Sequence, residues 1–130
     1  MTGSPPFLLE NNEKFARTFR KLAKSKAYGK TLVDTITPIL ESLRYNPYPR
    51  QARDEPLPGK TSLPEEWTLH KLEIWLGKGA SGQVRLIYRV NETERVIRPI
   101  WIYSHEQFKK RPPDKELADA IELGLELPES

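Results

Sequence analysis

Residues 67–108, WTLHKLEIWLGKGASGQVRLIYRVNETERVIRPIWIYSHEQF, contain three segments in which alternate positions are apolar. The segments begin near Leu69, Val84 and Val96, and two short polar stretches separate them. Alternation with a period of two is typical of strands with opposed faces. The stretch therefore predicts an antiparallel meander with one packed face and one face that carries basic and aromatic side chains.

Pro99 interrupts the third of these segments. Proline has no backbone N–H and cannot donate to a strand ladder, so it is found at edges or at bulges. The third strand is therefore predicted to carry a bulge at this position or to present it to an open edge.

Apolar residues at helical spacing mark three segments outside the meander. Residues 12–25 and 32–43 form two amphipathic patterns that together predict an N-terminal helical hairpin. Pro38 lies within the second pattern, which predicts a kink or a late start of that helix. A third pattern begins at Pro113 and reaches about Leu123, before Gly124, and predicts a C-terminal helix.

The connection between the hairpin and the meander, residues 45–64, contains five prolines and little apolar periodicity. This composition predicts a long irregular loop. The whole chain has 130 residues, enough for one domain, with residues 1–9 and 125–130 expected to be flexible ends. The predicted fold class is α+β: an N-terminal helical hairpin packed on a small antiparallel sheet, with a C-terminal helix.

Charge is distributed unevenly along the chain. Residues 1–112 carry 20 Lys or Arg and 12 Asp or Glu, whereas residues 113–130 carry one Lys and six acids. A basic body favours a phosphate-rich partner such as a nucleic acid, and an acidic end could cover such a surface or keep the protein soluble. There is no cysteine, no apolar run of membrane-spanning length and no secretory signal pattern. These features predict a cytoplasmic protein with no membrane partner.

The segment GKGASGQV, residues 77–84, matches G-x-G-x-x-G and is similar to the glycine-rich loop of protein kinases. Kinases also need a lysine on the next strand and the H-R-D and D-F-G motifs. Here Arg98 stands nearest to the lysine position, and neither motif occurs. A Rossmann loop would have to open a helix, but this one leads into a predicted strand. The glycines are better explained by a hairpin turn, and nucleotide binding is a minor alternative.

Several of these features occur together in one known group of proteins. Two N-terminal helices, a proline-broken connection, the strands KLEIWL and VRLIYRV, and a hydrophobic strand that ends in YSHEQF resemble the RelE/ParE superfamily of toxins from type II toxin–antitoxin systems. The best-matching stretch is residues 72–108, and its most characteristic part is the Arg-Leu-Ile-Tyr run that begins at Arg85. The resemblance implies a RelE-like fold and a cognate antitoxin as partner. In the RelE-, YoeB- and YafQ-like branch it implies cleavage of mRNA on the ribosome without a metal, and in the ParE-like branch inhibition of DNA gyrase.

Metal-free RNA cleavage needs a base for the 2′-hydroxyl, a cation at the phosphate and an acid for the leaving oxygen. The resemblance implies that Arg85 contacts the phosphate. His105 matches the position where YoeB-like and YafQ-like members place a catalytic histidine, and Glu73 would be its partner base. RelE itself uses lysines, arginines and a tyrosine in place of a histidine, so the order of roles stays open.

Six further residues are candidates for RNA contacts through charge or stacking: Lys71, Trp75, Arg89, Tyr103, Phe108 and Lys109. The catalytic candidates have structural alternatives, since Arg85 and Glu73 could form a cross-strand ion pair and His105 could cap a turn. His70 is expected to be a core or edge histidine. No metal site and no cofactor are predicted.

The leading hypothesis is a metal-independent endoribonuclease that cleaves mRNA on the ribosome and is neutralised by an antitoxin. The alternative is a ParE-like gyrase inhibitor or a non-catalytic binding member of the same superfamily. The first hypothesis requires Arg85 and His105 to converge on one concave, solvent-open site.

Overall fold

The computed structural model describes residues 5–25, 28–59, 61–76 and 83–126. Most of the glycine-rich segment, residues 77–82, lies outside the described residues, so the predicted turn there stays a prediction. The described elements, in chain order, are β1 (Leu8–Leu9), α1 (Glu13–Ala23), α2 (Gly29–Leu43), β2 (Ala52–Asp54), β3 (Trp67–Trp75), β4 (Gln83–Asn91), β5 (Val96–Ser104) and α3 (Asp114–Glu126).

These strands form one sheet in the order β1-β5-β4-β3-β2. β1 runs parallel to β5, and all other neighbouring strands are antiparallel. The predicted meander is confirmed as β3, β4 and β5, and the predicted α+β class is confirmed as well.

The bulge that Pro99 predicts lies in β5. Ile87 faces Trp101 and Tyr88 faces Pro99, so Ile100 is an extra residue on β5. This arrangement places the proline where the regular ladder is broken, and β5 can therefore occupy an interior position between β1 and β4.

The helical hairpin is confirmed with small differences at its ends. At the start of α1, the side chain of Asn12 accepts a hydrogen bond of 3.1 Å from the Phe15 N–H and caps the helix. α2 begins at Gly29, which has φ +45°, and includes Pro38. The late start considered for this helix is therefore wrong. α3 also continues past Gly124, where its end is predicted.

Two short strands are absent from the sequence prediction. Residues 5–9, assigned to a flexible end, include the buried Phe7 and the strand β1, whose Leu8 pairs with Val96. The connection predicted as irregular contains β2, in which Arg53 pairs with Lys71. Strands of two or three residues are too short to show a period of two, and only their partner strands define them.

Both faces of the sheet are packed, which corrects the expectation of one open face. α1 and α2 cover the first face, and the buried residues there include Leu32, Leu86 and Ile102. On the second face Leu117 of α3 packs with Ile87 of β4, among others. Apolar side chains therefore lie on both faces of β4 and β5, and Glu73 and Arg85 lie on the second face, which α3 covers in part.

His70 lies in the first face, as expected of a core histidine. It is buried, its ring contacts Tyr88 at 5.5 Å between centroids, and its Nε2 is 2.7 Å from the Thr68 hydroxyl oxygen. Its Nδ1 is 3.4 Å from the exposed Asp54 carboxylate. Burial lowers the pKa of His70 below its ordinary value, and Asp54 opposes this only in part.

This burial predicts a specific dependence of stability on pH. The unfolded chain takes up a proton at His70 before the folded chain does, so stability is complete above about pH 6.5 and falls as the pH drops below it. The loss from this residue is at most about 1.4 kcal/mol per pH unit. Urea unfolding at pH 7.5 and at pH 5.5 should show a larger loss for the parent than for His70→Gln. Equal losses would contradict this role of His70.

Candidate functional site

Three of the predicted site residues lie side by side across the sheet. The register places Glu73 of β3 opposite Arg85 of β4, and Arg85 opposite Tyr103 of β5. The Arg85 Nε and the Glu73 Oε2 are 3.7 Å apart. The cross-strand ion pair considered for Arg85 and Glu73 is therefore present.

The rest of the Arg85 guanidinium holds the chain segment that follows β5. Its Nη1 donates a hydrogen bond of 2.7 Å to the carbonyl oxygen of Lys109 and a longer one of 3.5 Å to that of Lys110. The Tyr103 hydroxyl also donates to the Lys110 carbonyl, at 2.9 Å. Residues 109 and 110 are thus fixed beside β4, and Arg85 is mostly buried beneath them.

An open cleft of about 640 Å³ lies in this region, and it is called the basic cleft here. It is lined by Glu55, Pro56, Lys71, Arg85, Lys109, Lys110, Arg111, Pro112, Pro113 and Asp114. Five cationic side chains against two carboxylates give the cleft a positive potential that attracts phosphate.

Glu55 is a buried component of the basic cleft that the sequence prediction missed. Its side chain is 6% exposed and lies 3.5 Å from the Lys71 ammonium and 2.9 Å from the Arg111 guanidinium. The Glu55 N–H also donates to the Leu69 carbonyl at 2.9 Å, which extends the pairing of β2 with β3. The proline-rich sequence around residue 55 shows no strand pattern. The sequence therefore gives no indication that Glu55 lies beside β3 and next to Lys71.

The two exposed lysines of the cleft differ from its other cations. Among the described ion pairs, Lys71, Arg85 and Arg111 each have a carboxylate partner, whereas Lys109 and Lys110 have none. Lys109 and Lys110 are therefore the cations most available to a phosphate group.

His105 follows the last residue of β5 and extends its pairing with β4 by one residue. Its N–H donates to the Gln83 carbonyl at 3.0 Å, so it stands two residues beyond Tyr103, the partner of Arg85. By this register His105 and Arg85 are diagonal neighbours on one face, a relation that separates Cα atoms by about 7–8 Å. His105 is half-buried and does not line the basic cleft, and its Nδ1 is buried without a hydrogen-bond partner. Arg85 and His105 therefore share a face but do not meet in one open site in the free protein, and the convergence that the leading hypothesis requires would need residues 109 and 110 to move from Arg85.

The turn that contains His105 is held by its neighbours. The Gln107 Oε1 accepts from the Ser104 N–H at 3.0 Å, and the Ser104 hydroxyl accepts from the Gln107 N–H at 3.2 Å. These contacts cap the turn, so the capping considered for His105 is supplied by Ser104 and Gln107.

The remaining candidates for RNA contacts differ in how exposed their side chains are. Trp75 is 57% exposed, and Lys71 and Lys109 line the basic cleft. Tyr103 is fully buried, and burial raises its pKa although the nearby Arg85 cation opposes this. Phe108 is half-buried and packs edge-on against Tyr103 with 5.7 Å between ring centroids.

Arg89 lies away from the basic cleft. Its side chain is 0% exposed, its guanidinium carbon is 4.5 Å from the centre of the Trp67 ring, and its Nε and Nη1 have no hydrogen-bond partner. Burial, reinforced by the like charge of Arg98, lowers the pKa of Arg89 to about 10. Arg89 is therefore still charged at neutral pH and offers no surface to a ligand in this structure.

Two further properties concern the described residues as a whole. None of their helices is both long and apolar enough to span a bilayer. No group of three or more of their His, Asp and Glu side chains is arranged to hold a metal ion.

Comparison with known proteins places the fold. Scans against family models and against curated proteins found no match. Among solved structures, the free E. coli toxin RelE with two arginines replaced by alanine matches at 18% identity and a TM-score of 0.53, over 80% of this chain and 88% of that one. A chain of the archaeal RelE–RelB complex from Pyrococcus horikoshii OT3 also matches at 18% identity, with a TM-score of 0.49, over 76% of this chain and 94% of that one. With its meander, helical hairpin and C-terminal helix, the chain has the fold of the RelE toxin.

Proposed function

We propose that this protein is a RelE-like toxin that cleaves mRNA on the ribosome in the cytoplasm. The observation that carries the proposal is the position of Arg85, which lines a cleft with four other cations and lies opposite a carboxylate. A phosphate group needs such cations, and a 2′-hydroxyl needs such a base. The fold shared with the E. coli toxin RelE supports the same assignment.

In the proposed reaction the Glu73 carboxylate takes the proton of a 2′-hydroxyl. The 2′-oxygen then attacks the adjacent phosphorus, the bond to the 5′-oxygen breaks, and His105 supplies the proton that the departing 5′-oxygen needs. The products are a 2′,3′-cyclic phosphate and a 5′-hydroxyl. Glu73 is suited to the first step because its side chain is one-third exposed and lies opposite the residue proposed to hold the phosphate.

Arg85 would stabilise the charge that develops on the phosphate. In the free protein its Nη1 donates to the Lys109 carbonyl at 2.7 Å, so a phosphate oxygen would replace that carbonyl as the acceptor. Lys71 and Lys109 line the same cleft and would hold the neighbouring phosphates. Trp75, which is exposed, would stack on a base.

The proposed protein partner is a cognate antitoxin. Covering the basic cleft requires negative charge, so the antitoxin segment that binds there should be acidic. A disordered acidic segment that folds on binding is suited to wrapping such a surface. It would neutralise the toxin by occupying the site that the mRNA phosphates need.

The test is induced expression of the protein, followed by mapping of mRNA ends and of their chemistry. We expect growth arrest and new mRNA ends that carry 2′,3′-cyclic phosphates. The same cells should show normal plasmid supercoiling. Growth arrest with intact mRNA would overturn the nuclease assignment.

The hydrogen bonds of Arg85 favour one alternative function. Because its Nη1 already donates to the Lys109 carbonyl and its Nε faces Glu73, Arg85 can be read as a purely structural clamp. The protein would then be a ParE-like gyrase inhibitor or a non-catalytic binding member of the superfamily. Reduced plasmid supercoiling with intact mRNA would support the gyrase inhibitor, and the absence of both effects would support the binding member.

A further inference from the structure

A second, largely apolar cavity of about 400 Å³ lies between α2 and the edge of the sheet. Ile39 and Leu43 of α2 and Ile74 and Trp75 of β3 are among its lining residues, and it is called the apolar groove here. Its volume falls within the range of about 300–1,000 Å³ that is usual for small-ligand pockets. The groove is therefore large enough for one planar ring system.

The groove lies where the sheet loses its edge strand. β2 pairs only with residues 70–72 of β3, so within the described part of the chain the last three residues of β3 have no neighbour on that side. Trp75, the last of them, is 57% exposed, although a large aromatic side chain normally buries most of its surface. Because side chains alternate along β3, Ile74 faces α2 and Trp75 projects from the other face, so a ligand in the groove would reach the Trp75 ring around this open edge.

Polar side chains at the groove could recognise the edge of a planar ligand. Asn46 and Gln51 both line it, and each amide carries donors and an acceptor. The Asn46 Oδ1 already accepts from the Tyr48 N–H at 3.2 Å, so Asn46 would offer mainly its NH₂ group. An apolar pocket with a few polar groups is the usual arrangement for binding a ring that carries hydrogen-bonding groups.

The apolar groove lies on the α2 side of β3 and the basic cleft on the other side, and the two approach each other at Glu73 on the open edge. Glu73 lines the groove, and its carboxylate pairs at 3.7 Å with Arg85, which lines the cleft. Arg85 stands opposite Glu73, so Trp75, two residues further along β3, is its diagonal neighbour on the same face. Such neighbours are about 7–8 Å apart between Cα atoms, a separation that one nucleotide can bridge.

We propose that the apolar groove binds one unpaired RNA base, stacked on Trp75, while the phosphate of that nucleotide lies at Arg85. This inference rests on the proposed function, which already assigns base stacking to Trp75, and adds the apolar groove as the subsite that holds the stacked base. Stacking on an aromatic ring accepts any base, and the amides of Asn46 and Gln51 would favour some bases over others.

The test uses a short single-stranded DNA oligonucleotide, which lacks the 2′-hydroxyl and cannot be cleaved by the proposed reaction. Its binding to the parent, Trp75→Ala, Trp75→Phe and Tyr45→Ala is measured by fluorescence anisotropy. A second series replaces one nucleotide at a time by an abasic residue. Tyr45 is the matched control because it is 68% exposed and lies outside the groove.

Trp75→Ala should weaken binding by about five- to a hundredfold, since base stacking contributes roughly that much per base. Trp75→Phe should retain most of the affinity and Tyr45→Ala all of it. With the abasic residue at the position that occupies the groove, the parent and Trp75→Ala should bind equally.

Two results would overturn the base assignment. If Trp75→Ala lost the same affinity for intact and abasic oligonucleotides at every position, a protein segment at the open edge of β3 would be the better occupant. Absence of oligonucleotide binding by the parent would also overturn it. Base-dependent binding in a protein that leaves mRNA intact would instead reject the proposed nuclease and keep the subsite.

Discussion

Replacing Arg85 with alanine is expected to lower the rate of mRNA cleavage by about a hundredfold or more. Loss of one preorganised donor to a developing oxyanion typically has an effect of this size. Arg85 has no equivalent on the neighbouring strands, because the residues opposite it are Glu73 and Tyr103. The measurement is single-turnover cleavage of mRNA bound to ribosomes, with the parent and the variant at equal concentration.

Arg44→Ala is the matched control for this prediction. Like Arg85, Arg44 binds a backbone carbonyl, that of Phe7 at 3.0 Å, and a carboxylate, that of Glu41 at 2.8 Å. It lies outside the basic cleft, so Arg44→Ala should lose some stability and keep its cleavage rate.

His105→Ala should also lose cleavage, because the departing 5′-oxygen would lack its acid. If Arg85→Ala and His105→Ala, both folded by circular dichroism, cleaved as fast as the parent, the roles proposed for these side chains would be wrong.

Replacing Arg89 with methionine is expected to raise the free energy of unfolding by about 1–4 kcal/mol. A buried charge loses its hydration, and even buried ion pairs, in which the two charges attract each other, can often be replaced by well-packed apolar residues with a neutral effect or a gain of up to about 4 kcal/mol. Arg89 is fully buried, two of its guanidinium nitrogens have no hydrogen-bond partner, and Arg98 adds a like charge nearby. The contact with the Trp67 ring and the opposite charge of Glu10 both oppose this expectation. Urea unfolding at neutral pH measures the change.

Arg98→Met is the comparison for the Arg89 prediction. Arg98 donates at 2.6 Å to the Glu10 carboxylate and keeps some exposure, so its loss should lower stability. A lower free energy of unfolding in Arg89→Met would show that the Trp67 contact, or a partner of Arg89 in solution, outweighs the burial of its charge.

Much of the sheet could be predicted because its cues are local. Alternation along β3, β4 and β5 depends only on which side chains are apolar, and Pro99 identified the bulge at Ile100 through its missing N–H. The same alternation predicts that Glu73 and Arg85 lie on one face of the sheet. The structure shows in addition that they are directly paired, because β3 and β4 are neighbouring antiparallel strands.

The candidate site was less predictable because its surroundings come from distant segments. Glu55 reaches the basic cleft from the proline-rich connection, and Lys109 binds Arg85 from the segment after β5. No pattern near residue 55 or residue 109 encodes these contacts. Arg89 lies on the same predicted face as Arg85 but is buried. Alternation predicts the face to which a side chain points, but it does not predict which segment covers that face.

The sequence by itself therefore determined the α+β class, the meander, the helical hairpin and the shared face of Glu73 and Arg85, since these depend on the order and spacing of neighbouring residues. Only the tertiary structure decided that α3 covers part of that face, that Glu55 lies between Lys71 and Arg111, and that Trp75 borders an apolar groove. The physical reason is that burial and ion pairing depend on which distant segments pack together. That packing depends on all contacts of the folded chain and not on the local sequence alone.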